Sequence, residues 1–307
     1  MTLTELRYIV AVAREKHFGR AAQSCFVSQP TLSAAIKKLE DDLGMAIFER
    51  RPRDVALTPI GEQIVTRAHR VLEEVEGIRE LASSGADPLT ATLRIGAIYT
   101  IGPYLFPEMI PELNALSPKT PLVVEEGYTA SLRKRLKQGE LDAIIVAAPF
   151  EEPGVLTRPL YDEPFLVVLS TSHPLTQKST VSVQDLAREN VLLLGSGNCF
   201  RDQVLEVCPE CVGTGEAEEG KTQLEGSSLE TIRYMVASGM GVTIMPCTAV
   251  RADRFSERLL TVRRFKGISP GRQVLLAWRH SFTRPQAIDL LAQAIRQASM
   301  GCVNKIN

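Results

Sequence analysis

The stretch Gly195-Ser196-Gly197-Asn198-Cys199-Phe200-Arg201-Asp202-Gln203 places a thiol where a glycine-rich loop hands over to a helix. With Asn198 or Ser196 as cap, Cys199 falls in the first helical turn. Free backbone N–H groups and the helix dipole favour a thiolate there, and Arg201 is placed to add to the effect. Such a thiolate can attack a peroxide and become a sulfenic acid. Cys208 lies nine residues further on and Cys211 three beyond it; the other cysteines are Cys25, Cys247 and Cys302. If 199–207 is helical, Cys199 and Cys208 are separated by about 13 Å of rise. A disulfide needs its Cα atoms within roughly 4.4–6.8 Å. A bond between the two would therefore unwind the helix, which is the behaviour of a switch.

Other chemistries stay open on these residues alone. A zinc site would take Cys199, Cys208 and Cys211, but no histidine lies in 174–279 to complete it. A thioredoxin-like Cys-x-x-Cys normally opens a helix after an early strand, whereas Cys208-Pro209-Glu210-Cys211 follows a helix. Inert buried thiols are the remaining possibility.

The elements that must position this segment are α/β in texture. Short apolar runs at Leu93–Ala97, Leu122–Glu126, Ala143–Ala147, Phe165–Leu169, Val191–Leu194, Val242–Met245 and Val274–Trp278 read as strands. Helical patterns at 103–116, 130–138, 228–238 and 285–299 fall between them, which predicts an α/β domain or two α/β lobes around a cleft.

Residues 1–58 differ. Thr2 and Glu5 form a capping box, and Leu3, Leu6, Val10 and Ala13 mark a helical face. A short helix over 19–26 carries Ala21 and Ala22, small enough for a close crossing. Pro30 stands in the first turn of a third helix that buries Leu32, Ile36, Leu39 and Leu43 and stops at Gly44. This is a helix-turn-helix pattern, with Gln29, Thr31 and Ser33 in reach of base edges. Lys37, Lys38, Arg50, Arg51 and Arg53 are suited to phosphates, with Glu40-Asp41-Asp42 pointing away. Thr58-Pro59 then caps a helix running to about Ser83. Its heptad seam (Ile64, Val71 and Ile78, with Ala68, Val75 and Ala82) predicts a dimer, and 83–88 a hinge.

The chain of 307 residues has 35 basic and 36 acidic side chains, so any nucleic-acid contact must come from a local patch. Residues 1–58 hold nine basic against seven acidic groups. The apolar runs are too short to span a bilayer, and Glu5, Arg7, Arg14 and Glu15 interrupt any signal-peptide core. The expected compartment is the cytoplasm, with no membrane partner.

Phe18-Gly19-Arg20-Ala21-Ala22, Val27-Ser28-Gln29-Pro30-Thr31-Leu32-Ser33, Leu39-Glu40, Leu43-Gly44 and Leu57-Thr58-Pro59-Ile60-Gly61 resemble the winged helix-turn-helix and linker of LysR-type transcriptional regulators. Cys25 stands where that family commonly has leucine, and reads as a small buried hydrophobe. The 192–203 segment with Cys208 resembles the peroxide-sensing, OxyR-like subfamily, as do 98–104, 160–165, 226–233 and 235–241. Many members carry histidine where this chain has Asn198.

The resemblance implies an α+β protein in three parts. These are an all-α winged helix-turn-helix over 1–58, a linker (dimerisation) helix and hinge over 59–87, and a two-lobed, periplasmic-binding-protein-like α/β regulatory domain over 88–307. Lobe I would take 88–163 plus 268–300, and lobe II 164–267. It implies Cys199 as the peroxidatic and Cys208 as the resolving cysteine, with Thr100, Thr129, Asp202 and Arg272 around a peroxide pocket. Cys211 lies outside that pair, close enough to rival Cys208.

DNA contacts would come from Gln29, Pro30, Thr31, Ser33, Lys37, Arg50 and Arg53. The implied partners are a double-stranded DNA operator, hydrogen peroxide, RNA polymerase, further copies of the chain in a homodimer and homotetramer, and a reductant of the glutaredoxin or thioredoxin type. No cofactor, metal or enzymatic turnover is implied. Two other functions compete. One is a LysR-type regulator controlled by a small ligand in the inter-lobe cleft. The other is a thiol peroxidase, for which residues 1–58 would be superfluous.

Overall fold

The computed structural model of the chain describes residues 1–50, 55–83, 89–211, 225–250 and 258–306. It divides into two compact units, one built on Met1–Pro88 and one on the residues from Leu89 onward.

In the first unit, α1 (Leu3–Glu15) opens on the expected capping box: Thr2 Oγ1 accepts from the Glu5 amide at 3.2 Å, and Glu5 Oε2 from the Thr2 amide at 2.7 Å. Helix α2 (Phe18–Ser24) starts slightly earlier than expected, because His17 Nδ1 caps it by accepting from the amides of Gly19 and Arg20. Helix α3 (Gln29–Leu43) is capped by Ser28 and ends at Gly44, whose φ of 67° suits glycine. Ala21 and Ala22 are buried where α2 packs on its neighbours.

Strand β1 (Phe48–Arg50) pairs antiparallel with β2 (Val55–Leu57), forming the wing. Glu40 departs from expectation. Its carboxylate turns inward and accepts from the amides of Ile47 (2.7 Å) and Phe48 (3.1 Å), tying the wing to α3, while Asp41 and Asp42 are exposed.

Helix α4 (Pro59–Ser83) begins with Thr58 Oγ1 accepting from the Gly61 amide at 2.9 Å. Its seam is not uniform. Ala68 is buried on the three-helix core and Ile64 partly so, with Val65 beside it fully in that core, while Val71 and Ile78 are 44% and 66% exposed. The side chains of Arg50 and Ala82, Arg51, Arg53 and the 84–88 hinge lie outside the described residues.

The second unit starts with three parallel strands, β3 (Leu93–Ile98), β4 (Leu122–Gly127) and β5 (Ala143–Ala147), in the order β4-β3-β5. Helices α5 (Gly102–Leu116) and α6 (Thr129–Lys137) are the crossovers. Next comes the 16-residue β6 (Val155–Ser170), of which only Phe165–Leu169 is legible as a strand in the sequence. Pro159 and Pro164 hide the rest. Pro159 sits at a register shift opposite Val274/Leu275, and Pro164 at the end of the pairing, opposite Gly271, so the ladder tolerates both.

The chain continues through β7 (Thr180–Val181), α7 (Val183–Leu186), β8 (Leu193–Leu194), α8 (Cys199–Val207) and β9 (Glu225–Gly226). It ends through α9 (Leu229–Ala237), β10 (Thr243–Pro246), α10 (Cys247–Val250), β11 (Leu260–Phe265), β12 (Gly271–Arg279), α11 (Pro285–Gln297) and β13 (Asn304–Lys305).

Strand β6 is the spine of this unit. Its first half pairs with β12 and β13, its second half with β10 and β11. Two apolar cores lie along it. The first lobe buries residues such as Ile95, Met109, Ile145, Leu276 and Leu291; the second buries Val167, Leu193, Val204, Ile232 and Met245. Tyr104, from α5, crosses over: its ring packs in the second core, and its hydroxyl donates to Glu230 Oε1 on α9 at 3.0 Å. Among the described residues no helix is long and apolar enough to cross a membrane.

Candidate functional site

Cys199 is the first residue of α8, unbonded and half-buried at the edge of the first core. Three turns meet around it: 98–100 after β3, 127–129 leading into α6, and 197–199 before α8. They line a small, open cleft whose sheltered part has room for about one water-sized molecule. This is the carboxyl end of the parallel strands, where open α/β sheets bind ligands. The turn before Cys199 needs Gly197, whose φ is 90° with open space around it, so the requirement there is backbone conformation rather than room. Tyr99 and Tyr128 meet edge to face at 5.2 Å at the cleft and are each nearly half exposed.

Behind the cleft lies a buried polar chain. Arg272 Nη1 donates to Thr100 Oγ1 at 2.8 Å and Nη2 to the Thr100 carbonyl at 2.7 Å. Its Nε donates to Glu163 Oε2 at 2.8 Å, in an ion pair with both side chains fully buried. The other Glu163 oxygen accepts from the Thr248 amide and hydroxyl. The Arg272 guanidinium also stands 5.4 Å from the centre of the Phe200 ring, next in sequence to Cys199. Thr100 is thus held by a cation whose own charge is balanced, an arrangement that fixes its hydroxyl at the cleft wall.

Of the expected pocket residues, Thr100 and Thr129 share the cleft with Cys199, and Arg272 braces Thr100 from behind. Asp202 is exposed in the first turn of α8 and does not line the cleft. Two expectations about the helix start are corrected. Asn198 occupies the N-cap position but makes no side-chain cap; its amide donates instead to the Gly195 carbonyl at 2.9 Å. Arg201 is committed to the Leu194 carbonyl and Glu225, each at 2.7 Å.

The cysteine pairing also departs from expectation. Cys208 is the C-cap of α8, fully buried in the second core, and it is bonded to Cys211 with Cα atoms 5.3 Å apart. With α8 intact, a Cys199–Cys208 bond is out of reach, and Cys211, across a short turn of 3₁₀ helix, is the near thiol. A second bond, Cys247–Cys302, joins α10 to the segment after α11, with Cα atoms 6.1 Å apart. Sequence reasoning missed that pair, because 55 residues separate the two and no motif marks them. It also missed Glu163 and Thr248, which chemistry could have suggested only once Arg272 was known to be buried.

On the first unit, Gln29, Pro30 and Thr31 are exposed at the start of α3 and Lys37 two turns along it. Ser33 is half-buried. The Thr31 hydroxyl is 2.8 Å from Ser28 Oγ, within the cap. A single helix therefore presents exposed amide and hydroxyl groups at its start and an ammonium two turns along, the chemistry of base and phosphate contact.

A winged helix-turn-helix unit on the same chain as a two-lobed α/β unit with a cleft defines a bacterial regulator of the LysR type. A family model for the bacterial regulatory helix-turn-helix protein, lysR family, matches residues 3–62, and one for the LysR substrate binding domain matches 86–299. The chain belongs to the LysR family. It is 39% identical over 306 residues to the DNA-binding transcriptional dual regulator OxyR of Escherichia coli K12, covering 100% of this chain and 98% of that protein. Among solved structures it is similar to a variant of full-length OxyR from Pseudomonas aeruginosa, with 54% identity, TM-score 0.82, and coverage of 97% and 96%. A reduced OxyR from N. meningitidis is 42% identical with TM-score 0.64, covering 71% of this chain and all of that one.

Proposed function

We propose that the chain is a transcriptional regulator that senses hydrogen peroxide through Cys199 and answers by changing its DNA contacts. The observation that carries this reading is Cys199 itself: an unbonded thiol at a helix N-terminus, lining a small open cleft between three turns. Peroxide oxidises Cys199 to a sulfenic acid, Cys208 condenses with it, and the 199–208 segment refolds. Thr100 and Thr129 supply hydroxyls to the bound peroxide, with Arg272 positioning Thr100. Asp202 acts on the helix start from outside the cleft.

The DNA-reading residues are Gln29, Pro30, Thr31, Ser33 and Lys37, with Arg50 and Arg53 on the wing. Exposed Val71 and Ile78 on α4 support pairing of two copies, and two such dimers would form the tetramer. RNA polymerase receives the signal, and a cytoplasmic thiol reductant of the glutaredoxin or thioredoxin type resets it. The chain is a stoichiometric sensor rather than an enzyme.

The test is a footprint on a target promoter with reduced and peroxide-treated protein, alongside Cys199→Ser. The footprint of the unmodified chain should shift on oxidation and that of Cys199→Ser should not. A footprint that stays the same despite quantitative oxidation of Cys199 would overturn the reading. A peroxide response surviving in Cys199→Ser would do so equally.

A further inference from the structure

We propose that Cys211 is a second resolving thiol: it takes the disulfide over from Cys199 and lets α8 return to helix without an external reductant. The inference rests on the reading above of Cys199 as the peroxide-reactive thiol and Cys208 as its first partner.

One sulfur has two suitors. Cys208 is joined here to Cys211, across a turn in which the Cys211 amide donates to the Cys208 carbonyl at 3.1 Å. That bond coexists with an intact nine-residue α8 and with Cys208 fully buried in the second core. The Cys199–Cys208 bond coexists with neither, since nine residues of helical rise must collapse to disulfide distance. Of the two bonds to Cys208, the one to Cys211 is compatible with the folded segment, so refolding pulls the exchange toward it.

Reach is short whatever the segment does. Three residues of chain span at most about 10–11 Å, so Cys211 stays near Cys208, and a single turn such as the one seen here brings the two to disulfide distance. The leaving group is favourable as well. Cys199 departs as a thiolate at a re-forming helix N-terminus, where negative charge is favoured.

The steps balance. The Cys199 thiolate attacks one peroxide oxygen, the O–O bond breaks, and the departing hydroxide takes a proton to become water. The Cys208 thiol then attacks the Cys199 sulfur; the S–O bond breaks and the hydroxyl leaves as water with the thiol's proton. The Cys211 thiolate finally attacks the Cys208 sulfur, the bond to Cys199 breaks, and Cys199 is released as thiolate. In sum, one peroxide is reduced to two waters and two thiols, Cys208 and Cys211, are oxidised to a disulfide. The refolded signalling state is thus transient by construction, and the chain left behind carries the pairing seen in this structure, which the external reductant must still reduce before Cys208 can respond again.

The experiment uses the full chain, reduced and freed of reductant, given a sub-stoichiometric pulse of hydrogen peroxide. Samples are quenched over time with N-ethylmaleimide, and disulfides are mapped by peptide mass spectrometry. The Cys199–Cys208 bond should appear first and decay into Cys208–Cys211 while alkylated Cys199 returns. In Cys211→Ser it should persist about tenfold longer or more, and Cys211→Ala should behave alike, which separates thiol loss from a local packing defect.

Two results would overturn the transfer while leaving Cys199 a sensor. One is a Cys199–Cys208 bond equally long-lived with and without Cys211. The other is a Cys208–Cys211 bond forming as fast in Cys199→Ser, by direct oxidation. If Cys199 stays alkylatable at every time in every variant, the sensor reading fails first and the transfer with it.

Discussion

Cys199 and Cys208 bracket α8 and belong to different cores, Cys199 at the edge of the first lobe and Cys208 fully buried in the second. Joining them cannot be a local event. It must dismantle α8 and withdraw Cys208 from its core, at a cost on the order of 1–2 kcal/mol for the lost burial alone. Amide hydrogen exchange reads this directly. Amides within 203–207 should be protected while Cys199 is free, and lose about tenfold or more of that protection once Cys199–Cys208 forms. Equal protection in both states would mean that the bond forms without unwinding the helix.

The Arg272–Glu163 ion pair makes a prediction about coupling. Arg272→Met leaves the Glu163 carboxylate buried with only Thr248 to answer it, and should cost about 3–5 kcal/mol of unfolding free energy. Adding Glu163→Met removes the stranded charge, so the double variant should recover part of that loss. Urea melts of the four proteins give the coupling energy, expected in the range of about 0.5–3 kcal/mol. Strict additivity would show that the pair does not act as a unit. Because Arg272 also holds Thr100, both Arg272 variants should oxidise Cys199 more slowly.

Cys247–Cys302 closes a loop across a sequence separation of 55. In the chain-entropy account, a loop of that length is worth about 4 kcal/mol through the unfolded state. Cys302→Ser should therefore melt earlier than the unmodified chain in non-reducing buffer and together with it in excess reductant. A gap of the same size in both buffers would assign the effect to packing at Cys302 instead of the bond.

Much of this architecture is written in local patterns. Thr2, Pro30, Gly44 and Thr58-Pro59 mark helix ends by chemistry that depends on a few neighbouring atoms, so those boundaries are legible. Ala143–Ala147 is a continuous apolar run and appears as the strand expected. Pairings between distant residues are a different matter. The long reach of β6 is hidden because its prolines are tolerated only by the register that β12 supplies. Glu40, charged and beside two aspartates, reads as solvent-facing until the wing's amides are folded onto it. The site divides in the same way: the helix start at Cys199 is visible in sequence, while the partners of Asn198, Arg201 and Cys208 follow from contacts that sequence spacing does not encode.

Asp185 gives a pH-dependent marker close to the buried Cys208 sulfur, since α7 carries the Val183 carbonyl 4.0 Å from Cys208 Sγ. Its carboxylate accepts from Lys178 Nζ at 2.7 Å and from the Ser182 amide at 3.0 Å. Those bonds, Lys178 first, hold it down to about 2 from an ordinary 3.8. A depressed carboxylate contributes stability that is fully present above 3.8 and is lost as pH falls toward 2. The group is only partly covered and its Lys178 partner is exposed, so the effect is local and weakened by salt. An NMR titration should place the midpoint near 2, and Lys178→Met should raise it part of the way to 3.8, with the Ser182 amide retaining the rest. An unmoved midpoint would remove Lys178 as the main cause.

The start of α3 separates two kinds of DNA contact by position. Gln29 is exposed at the first turn, where a side-chain amide can bond an adenine edge bidentately, while Lys37 lies two turns along with an ammonium suited only to phosphate. Gln29→Ala should therefore cost about 1–3 kcal/mol on the operator and relax preference at one base position, with little change on unrelated DNA. Lys37→Ala should weaken binding to every sequence alike and reduce the slope of log affinity against log salt by about 1. Titrations on operator and scrambled duplexes at several salt concentrations distinguish the two. If Gln29→Ala weakened both duplexes equally, the base-reading role would have to move elsewhere on the helix.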